Sequence, residues 1–252
     1  MAAPVEDPNK EAFLARVRAA LGRTEPITVT PDHPPLKAAL PRHEEKVRTI
    51  LGKVEARRSM SIAMLADNAA KASWNVHRVR GDVEAASAVG EIARKVGARN
   101  VIRTGEDLFR RIDVDGALRK RGVSPTVLAS GKSRRRTDLK AIAFRSDLGV
   151  SGVEYAIAET ASCAIVPRRG VARMTTLAPP VLVLLVEEQQ VLESLDDFFA
   201  LVRFQFLTAR GRSPNYYNFI SGPSRTADIE QTLTIGVHGP GEVHMVIVEA
   251  ER

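Results

Sequence analysis

Val181-Leu182-Val183-Leu184-Leu185-Val186 is the longest unbroken apolar run in the chain. A strand with one wet face alternates apolar and polar residues. A run that is apolar at every position belongs instead to a strand covered on both faces, as at the centre of a parallel sheet. A membrane-spanning helix needs about 20 such residues, so this run is a core strand and not a span. Working outward toward the C-terminus, Leu192 to Phe206 is amphipathic, with Leu192, Leu195, Phe198, Phe199 and Val202 at helical spacing. Tyr217 to Ile220 and Val243 to Val248 read as the last two strands.

Toward the N-terminus, Tyr155 to Ala158 and Cys163 to Val166 are short apolar pieces. Further back, strand-like and helix-like stretches alternate. Asn75 to Val79 is β-compatible, and Val83 to Val96 is an Ala-rich helix stopped by Gly97. Asn100 to Ile102 reads as a strand, Asp107 to Arg121 as a helix stopped by Gly122, and Pro125 to Leu128 as another strand. This order predicts βαβ units, a largely parallel sheet and helices on its faces. Glu44 to Ser73 is helical in pattern. Before it, residues 24 to 42 hold Pro26, Pro31, Pro34, Pro35 and Pro41, which deny both helix and inner strand. Residues 10 to 22 carry Phe13, Leu14, Val17, Ala20 and Leu21 at helical spacing. The expected organisation is a helical appendage with a Pro-rich arm over residues 1–42 and an α/β domain over residues 43–252.

Of 252 residues, 44% are hydrophobic and 27% charged, which excludes a disordered chain and a fibrous repeat. The start, MAAPVEDPNK, has no basic flank or apolar stretch, so no secretory signal is expected. The single cysteine, Cys163, makes no internal disulfide and ligates no cluster alone. A soluble protein of a reducing compartment, the cytoplasm, is the expectation. The net charge of +7 is unevenly placed: residues 1–145 hold 29 basic and 17 acidic side chains, and residues 146–252 hold 8 and 13. Such asymmetry fits nucleic acid, an acidic partner, or a solvated surface. Arg134-Arg135-Arg136 is the densest basic cluster, and only Phe144 is an aromatic within ten residues of it. Stacking recognition of single strands is therefore poorly supported. The expected picture is two surfaces, a basic docking face and an acidic half that holds the site motifs.

Three segments carry candidate chemistry. Glu159 and Thr160 end an apolar run, where a carboxylate beside a hydroxyl serves either as a base or as a cap. Ser221-Gly222-Pro223-Ser224-Arg225-Thr226-Ala227-Asp228-Ile229-Glu230 follows a strand and reads as the opening of a helix. Its hydroxyls either cap that helix or, with Arg225, hold an anion at the helix end. Asp228 and Glu230 suit the positive helix end and oppose an anion there. Gly236-Val237-His238-Gly239-Pro240-Gly241 is a turn before the final strand, and His238 suits proton transfer near neutral pH or simple exposure. Arg173, in Arg173-Met-Thr-Thr-Leu-Ala-Pro-Pro180, is a further carboxylate partner. There is no P-loop, no G-x-G-x-x-G after a first strand and no G-x-S-x-G elbow. The histidines are scattered, so no metal site is expected.

GVSGVEYAIAET from Gly149, the R-x-T-T-L-x-P-P stretch from Arg173, and SGPSRTADIE followed by GVHGP together resemble the LUD domain of the lactate-utilisation protein C (LutC, YkgG-like) family. The resemblance covers nearly the whole chain, the Pro-rich arm being its loosest part. One departure is visible: many members read Glu-Thr-Gly-Thr where this chain reads Glu159-Thr160-Ala161-Ser162. The resemblance implies a three-layer α/β fold of the NagB/RpiA/CoA-transferase-like kind. It also implies a non-redox component of a cytoplasmic L-lactate oxidation system whose partner proteins carry iron–sulfur clusters. No catalytic residue is firmly assigned in the family. Glu159 and His238 therefore stand as candidate proton-handling groups, and Thr160, Arg173, Ser221, Gly222, Ser224, Arg225, Thr226 and Gly239 as candidate binding groups. The alternative is a stand-alone enzyme for a phosphorylated or CoA-like substrate, cradled by the Ser221–Thr226 turn. A bound cofactor or metal in this chain is not expected.

Overall fold

The computed structural model describes residues 8–22, 40–128, 136–209, 213–214, 216–227 and 233–251. The chain forms two compact units, residues 1–39 and 40–252. Within the first, helix α1 spans Pro8–Ala20. In the second, which starts at Leu40, helix α2 (Leu40–Ala56) takes Pro41 into its first turn. A proline is harmless there, since the first helical N–H groups have no intrahelical partner. The expected single helix from Glu44 to Ser73 is two, α2 and then α3 (Arg58–Lys71).

The expected alternation follows: β1 (Asn75–Arg80), α4 (Gly81–Lys95), β2 (Val101–Arg103), then two short helices, α5 (Leu108–Arg111) and α6 (Val114–Arg119). Next come β3 (Thr126–Val127), α7 (Arg136–Phe144) and β4 (Leu148–Gly152). A short helix, α8 (Met174–Leu177), leads into β7 (Val181–Glu187). With β12 (Glu242–Glu249), β7 completes a six-stranded sheet in the order β1-β12-β7-β4-β2-β3. Every pairing in it is parallel.

β7 lies at the centre as its composition requires. Leu182, Leu184 and Val186 face one side, packed on Ile62, Leu65 and Ala69 of α3. Val181, Val183 and Leu185 face the other, packed with Ala85, Val89 and Ile92 of α4 and Leu118 of α6. Each such side chain taken out of water contributes about 1.5–3 kcal/mol, which fixes this strand in the middle.

Three stretches read as strands join a different sheet. β5 (Tyr155–Ile157), β6 (Ser162–Ile165) and β9 (Asn218–Ile220) combine with β8 (Val191–Leu192) in the order β8-β5-β6-β9. β5–β6 and β6–β9 are antiparallel. One face of this small sheet, through Ala156, Cys163 and Ile220, packs against β7 and β12 of the large one. Its other face, through Ile157 and Ala164, is covered by Ile50 of α2 and by Phe198 and Leu201 of α9 (Leu195–Thr208). The domain is thus α/β, with α4 and α6 on one side of a parallel sheet and α3 with the small sheet on the other. Among the described residues no helix is long and apolar enough to cross a membrane.

Candidate functional site

The sheet order singles out one crevice. β1 connects to β2 through α4, and β2 to β3 through α5 and α6, over the α4 face. β3 returns to β4 through α7, on the opposite face, where Leu139 and Ile142 pack with Ile102 and Leu128. β2 and β4 are neighbours whose chains leave toward opposite faces. Adjacent strands with diverging exits leave a gap at their carboxyl ends, and this is where open α/β sheets place ligands.

Thr104-Gly105-Glu106-Asp107 leaves β2 at this point, and Val153-Glu154 leaves β4. The Glu106 side chain is only 10% exposed. Its Oε2 accepts from Thr104 Oγ1 at 2.6 Å, from the Gly152 N–H at 2.8 Å and from Ser151 Oγ at 3.4 Å. Such a carboxylate is held in one place by three donors. Over it bends a turn closed by Val171 N–H to Arg168 O at 2.8 Å, with Gly170 at φ +88°. Glycine at that φ is what such a turn requires. The turn is tied to the β2 exit by the Gly105 N–H, which donates to Gly170 O at 2.6 Å. Arg168 Nη1 donates to Glu154 Oε2 at 2.9 Å, and its Nη2 lies 3.6 Å from Glu106 Oε1. The cavity between them is about 370 Å³, lined by Glu106, Glu154, Arg168, Arg169 and Gln190.

None of these residues is among the candidates that the sequence motifs point to; Glu106 and Arg168 are missed by them. A signal exists all the same. Thr-Gly-Glu-Asp after a strand combines glycine, hydroxyl and acid just as the three candidate segments do. The strand before it is three residues long and draws little notice.

The expected candidates lie elsewhere. Glu159 is exposed, and its Oε1 accepts the Leu195 N–H at 2.7 Å, capping the first turn of α9 together with Ser194. Thr160 is exposed beside it. Arg173 is exposed; its Nη1 donates to Tyr216 Oη at 3.3 Å, and the guanidinium lies 5.5 Å from that ring's centre. The segment from Ser221 does not open a helix. Arg225–Ala227 is strand β10, paired antiparallel with β11 (Leu233–Ile235) and with Thr226 opposite Thr234. Asp228, Ile229 and Glu230 lie outside the described residues.

The hairpin brings two of the predicted loops together. Ser224 accepts the Gly236 N–H at its carbonyl, 2.9 Å, and the His238 N–H at its Oγ, 3.3 Å, while its own N–H donates to Pro240 O at 2.8 Å. A Cβ on Gly239 would lie 3.5 Å from Ser224 Cβ. Ser221 Oγ meets Ser162 Oγ at 2.6 Å, Arg225 bonds Ser73 Oγ, and Gly222 approaches the Ala72 carbonyl. The Gly241 N–H donates to Pro180 O. Ala72, Ser73 and Pro180 immediately precede β1 and β7, so this cluster sits at the amino-terminal edge of the parallel sheet. Among the described residues no hydrogen bond or ion pair joins Glu159 to His238, or Arg173 to Arg225.

Two further groups bear on chemistry. His77 Nε2 and His244 Nδ1 are 3.0 Å apart, and His244 Nε2 lies 2.8 Å from Glu242 Oε1. Burial holds His77 below the usual imidazole range, with His244 and Lys95 adding to it. Burial also lowers His244, against the opposing pull of Glu242. Cys163 is sealed in the core, and burial pushes its thiol far up. Among the described residues no group of three or more His, Cys, Asp or Glu side chains is placed to hold a metal ion.

The LUD domain family model matches residues 62–248. Lactate utilization protein C of Bacillus licheniformis is 24% identical over 246 residues, covering 96% of each chain. Lactate utilization protein C of Halalkalibacterium halodurans is 24% identical over 188 residues, covering 75% of this chain and 79% of that one. Among solved structures, a DUF162 family protein from Deinococcus radiodurans aligns with TM-score 0.51 and 20% identity, over 76% of this chain and 98% of that one. That likeness extends the shared fold across the whole of the smaller protein.

Proposed function

Because the chain belongs to the LUD domain family, we propose that it serves L-lactate utilisation in the cytoplasm as a component without a redox centre of its own, working beside iron–sulfur proteins. The observation that carries this is the match to a lactate utilization protein C over 96% of both chains. The buried Cys163 supports placing the cluster ligands on partner chains, because a thiol held protonated in an apolar core is a poor ligand. The polar crevice at the β2–β4 exit supports a role in handling a small substrate. For a phosphorylated or CoA-like substrate cradled by the Ser221–Thr226 turn, the helix end that would assist an anion there is replaced by strand β10.

Deleting the gene is expected to impair growth on L-lactate as sole carbon source while leaving growth on glucose unchanged. The tagged protein is expected to co-purify with iron–sulfur proteins. Normal growth on L-lactate would overturn the role.

A further inference from the structure

The crevice holds more than its place in the sheet, for its charges are sorted into committed and free. Arg168 is committed to Glu154 and to the Val166 carbonyl at 3.3 Å. Glu106 is committed to Thr104, Ser151 and Gly152. Gln190 donates from Nε2 to Val153 O at 2.8 Å and accepts the Glu187 N–H at Oε1, so it is fixed as well. Asp107 pairs with Arg110 on the outside. Arg169, at the tip of the turn, is exposed and has no ion-pair partner among the described residues. One uncommitted guanidinium beside two carboxylates matches a ligand with one negative charge and a hydroxyl that donates. A second negative charge would find no further free cation there among the described residues, since Arg168 is taken up by Glu154 and Glu106.

We propose that this crevice binds a small 2-hydroxymonocarboxylate. Arg169 takes the carboxylate, and the Glu154 oxygen not held by Arg168 accepts the 2-hydroxyl. The proposal rests on the lactate-utilisation role for the identity of the acid, and on the geometry of the crevice for its place. It moves the ligand from the amino-terminal edge, where Arg225 and His238 lie, to the carboxyl edge.

The test is titration calorimetry on the full chain with L-lactate and with propionate, which lacks the hydroxyl. Wild type is expected to bind L-lactate saturably and more tightly than propionate. Arg169→Gln is expected to weaken both by about tenfold or more, since it removes a charge-assisted contact. Glu154→Gln is expected to collapse the preference for L-lactate over propionate, a readout that a merely structural role would not move. Arg145→Gln, on the opposite edge, is expected to leave binding unchanged, with equal melting temperatures confirming folded variants. No saturable binding, or binding lost in Arg225→Gln and kept in Arg169→Gln, would overturn the proposal. Absent binding with impaired growth on L-lactate removes the pocket alone; normal growth removes the role on which it rests.

Discussion

Arg103 and Asp115 show how single residues shape the crevice from behind. Arg103 ends β2 and grips Asp115 of α6 with two bonds, Nε to Oδ1 at 2.6 Å and Nη2 to Oδ2 at 2.8 Å. It also donates to the Thr104 carbonyl at 2.9 Å and lies 4.9 Å from the Phe109 ring centre. The bidentate pair sets the direction in which the chain leaves β2, and hence where Glu106 stands. The Arg103 hydrogen bonds hold the Asp115 carboxyl below its ordinary range, overcoming a burial effect of opposite sign. A folded state that binds fewer protons in acid than the unfolded one loses stability as pH falls. The contribution is therefore complete above the ordinary carboxylate pKa of about 3.9 and disappears as pH drops through the lower folded value. Asp115→Asn is expected to cost about 1–2 kcal/mol at neutral pH and to flatten that part of the acid profile, as read by urea unfolding at stepped pH. Residue chemistry of this kind is only half legible in sequence. Glu159 and Glu106 both follow strands, but β5 joins the small sheet and β2 the large one, and that distinction depends on pairing far along the chain.

Elements are legible where their own composition decides them and opaque where a neighbour does. Val181–Val186 shows itself as a central strand through apolar side chains alone. β4, its immediate neighbour, reads Leu-Gly-Val-Ser-Gly and gives no strand signal, although all five residues are buried. The reason is steric. A Cβ on Gly149 would lie 2.1 Å from the carbonyl oxygen of Thr175 in α8. The glycine exists so that helix backbone can rest directly on the strand, which weakens its local β-propensity. Gly149→Ala is accordingly expected to destabilise the domain by about 1–3 kcal/mol, because the opposing atom is backbone and cannot turn aside. Thermal melting of the variant checks this; an unchanged midpoint would mean that α8 shifts freely. The Ser221–Ala227 segment misleads for the converse reason. Its hydroxyls, glycine and proline are helix-start residues by local rule, yet pairing with β11 and contacts to Ser73 and Pro240 make it a hairpin.

At the scale of the molecule, the two halves of the sequence interleave in one sheet. The sheet order places β12, β7 and β4 from the second half between β1 and β2 from the first. Some cations of the first half meet acids of the second, as in Arg58–Glu188, Arg78–Glu249 and Arg111–Glu187. A charge count along the chain could not see this, since it depends on which strands pair. A join that titrates near neutral pH is β1 with β12, the first and last strands of the sheet in chain order, where His77 and His244 meet on the α4 face. The groups around them are Lys95 of α4 and Glu242 of β12. Both imidazoles are held below the usual value of about 6.5. The unfolded chain therefore takes up protons first as pH falls, so stability is full above about pH 6.5 and declines as pH drops toward the lower folded values. Two cations 3.0 Å apart in a partly buried join would oppose closure of the sheet. Wild type is thus expected to lose stability between about pH 7 and pH 5, with amides of β1 gaining hydrogen exchange before those of β7. His77→Gln removes one titrating ring while keeping a polar side chain, and should flatten the profile over that interval. A wild-type profile that is level from pH 7 to 5 would show that the pair stays neutral and the join does not respond to acid.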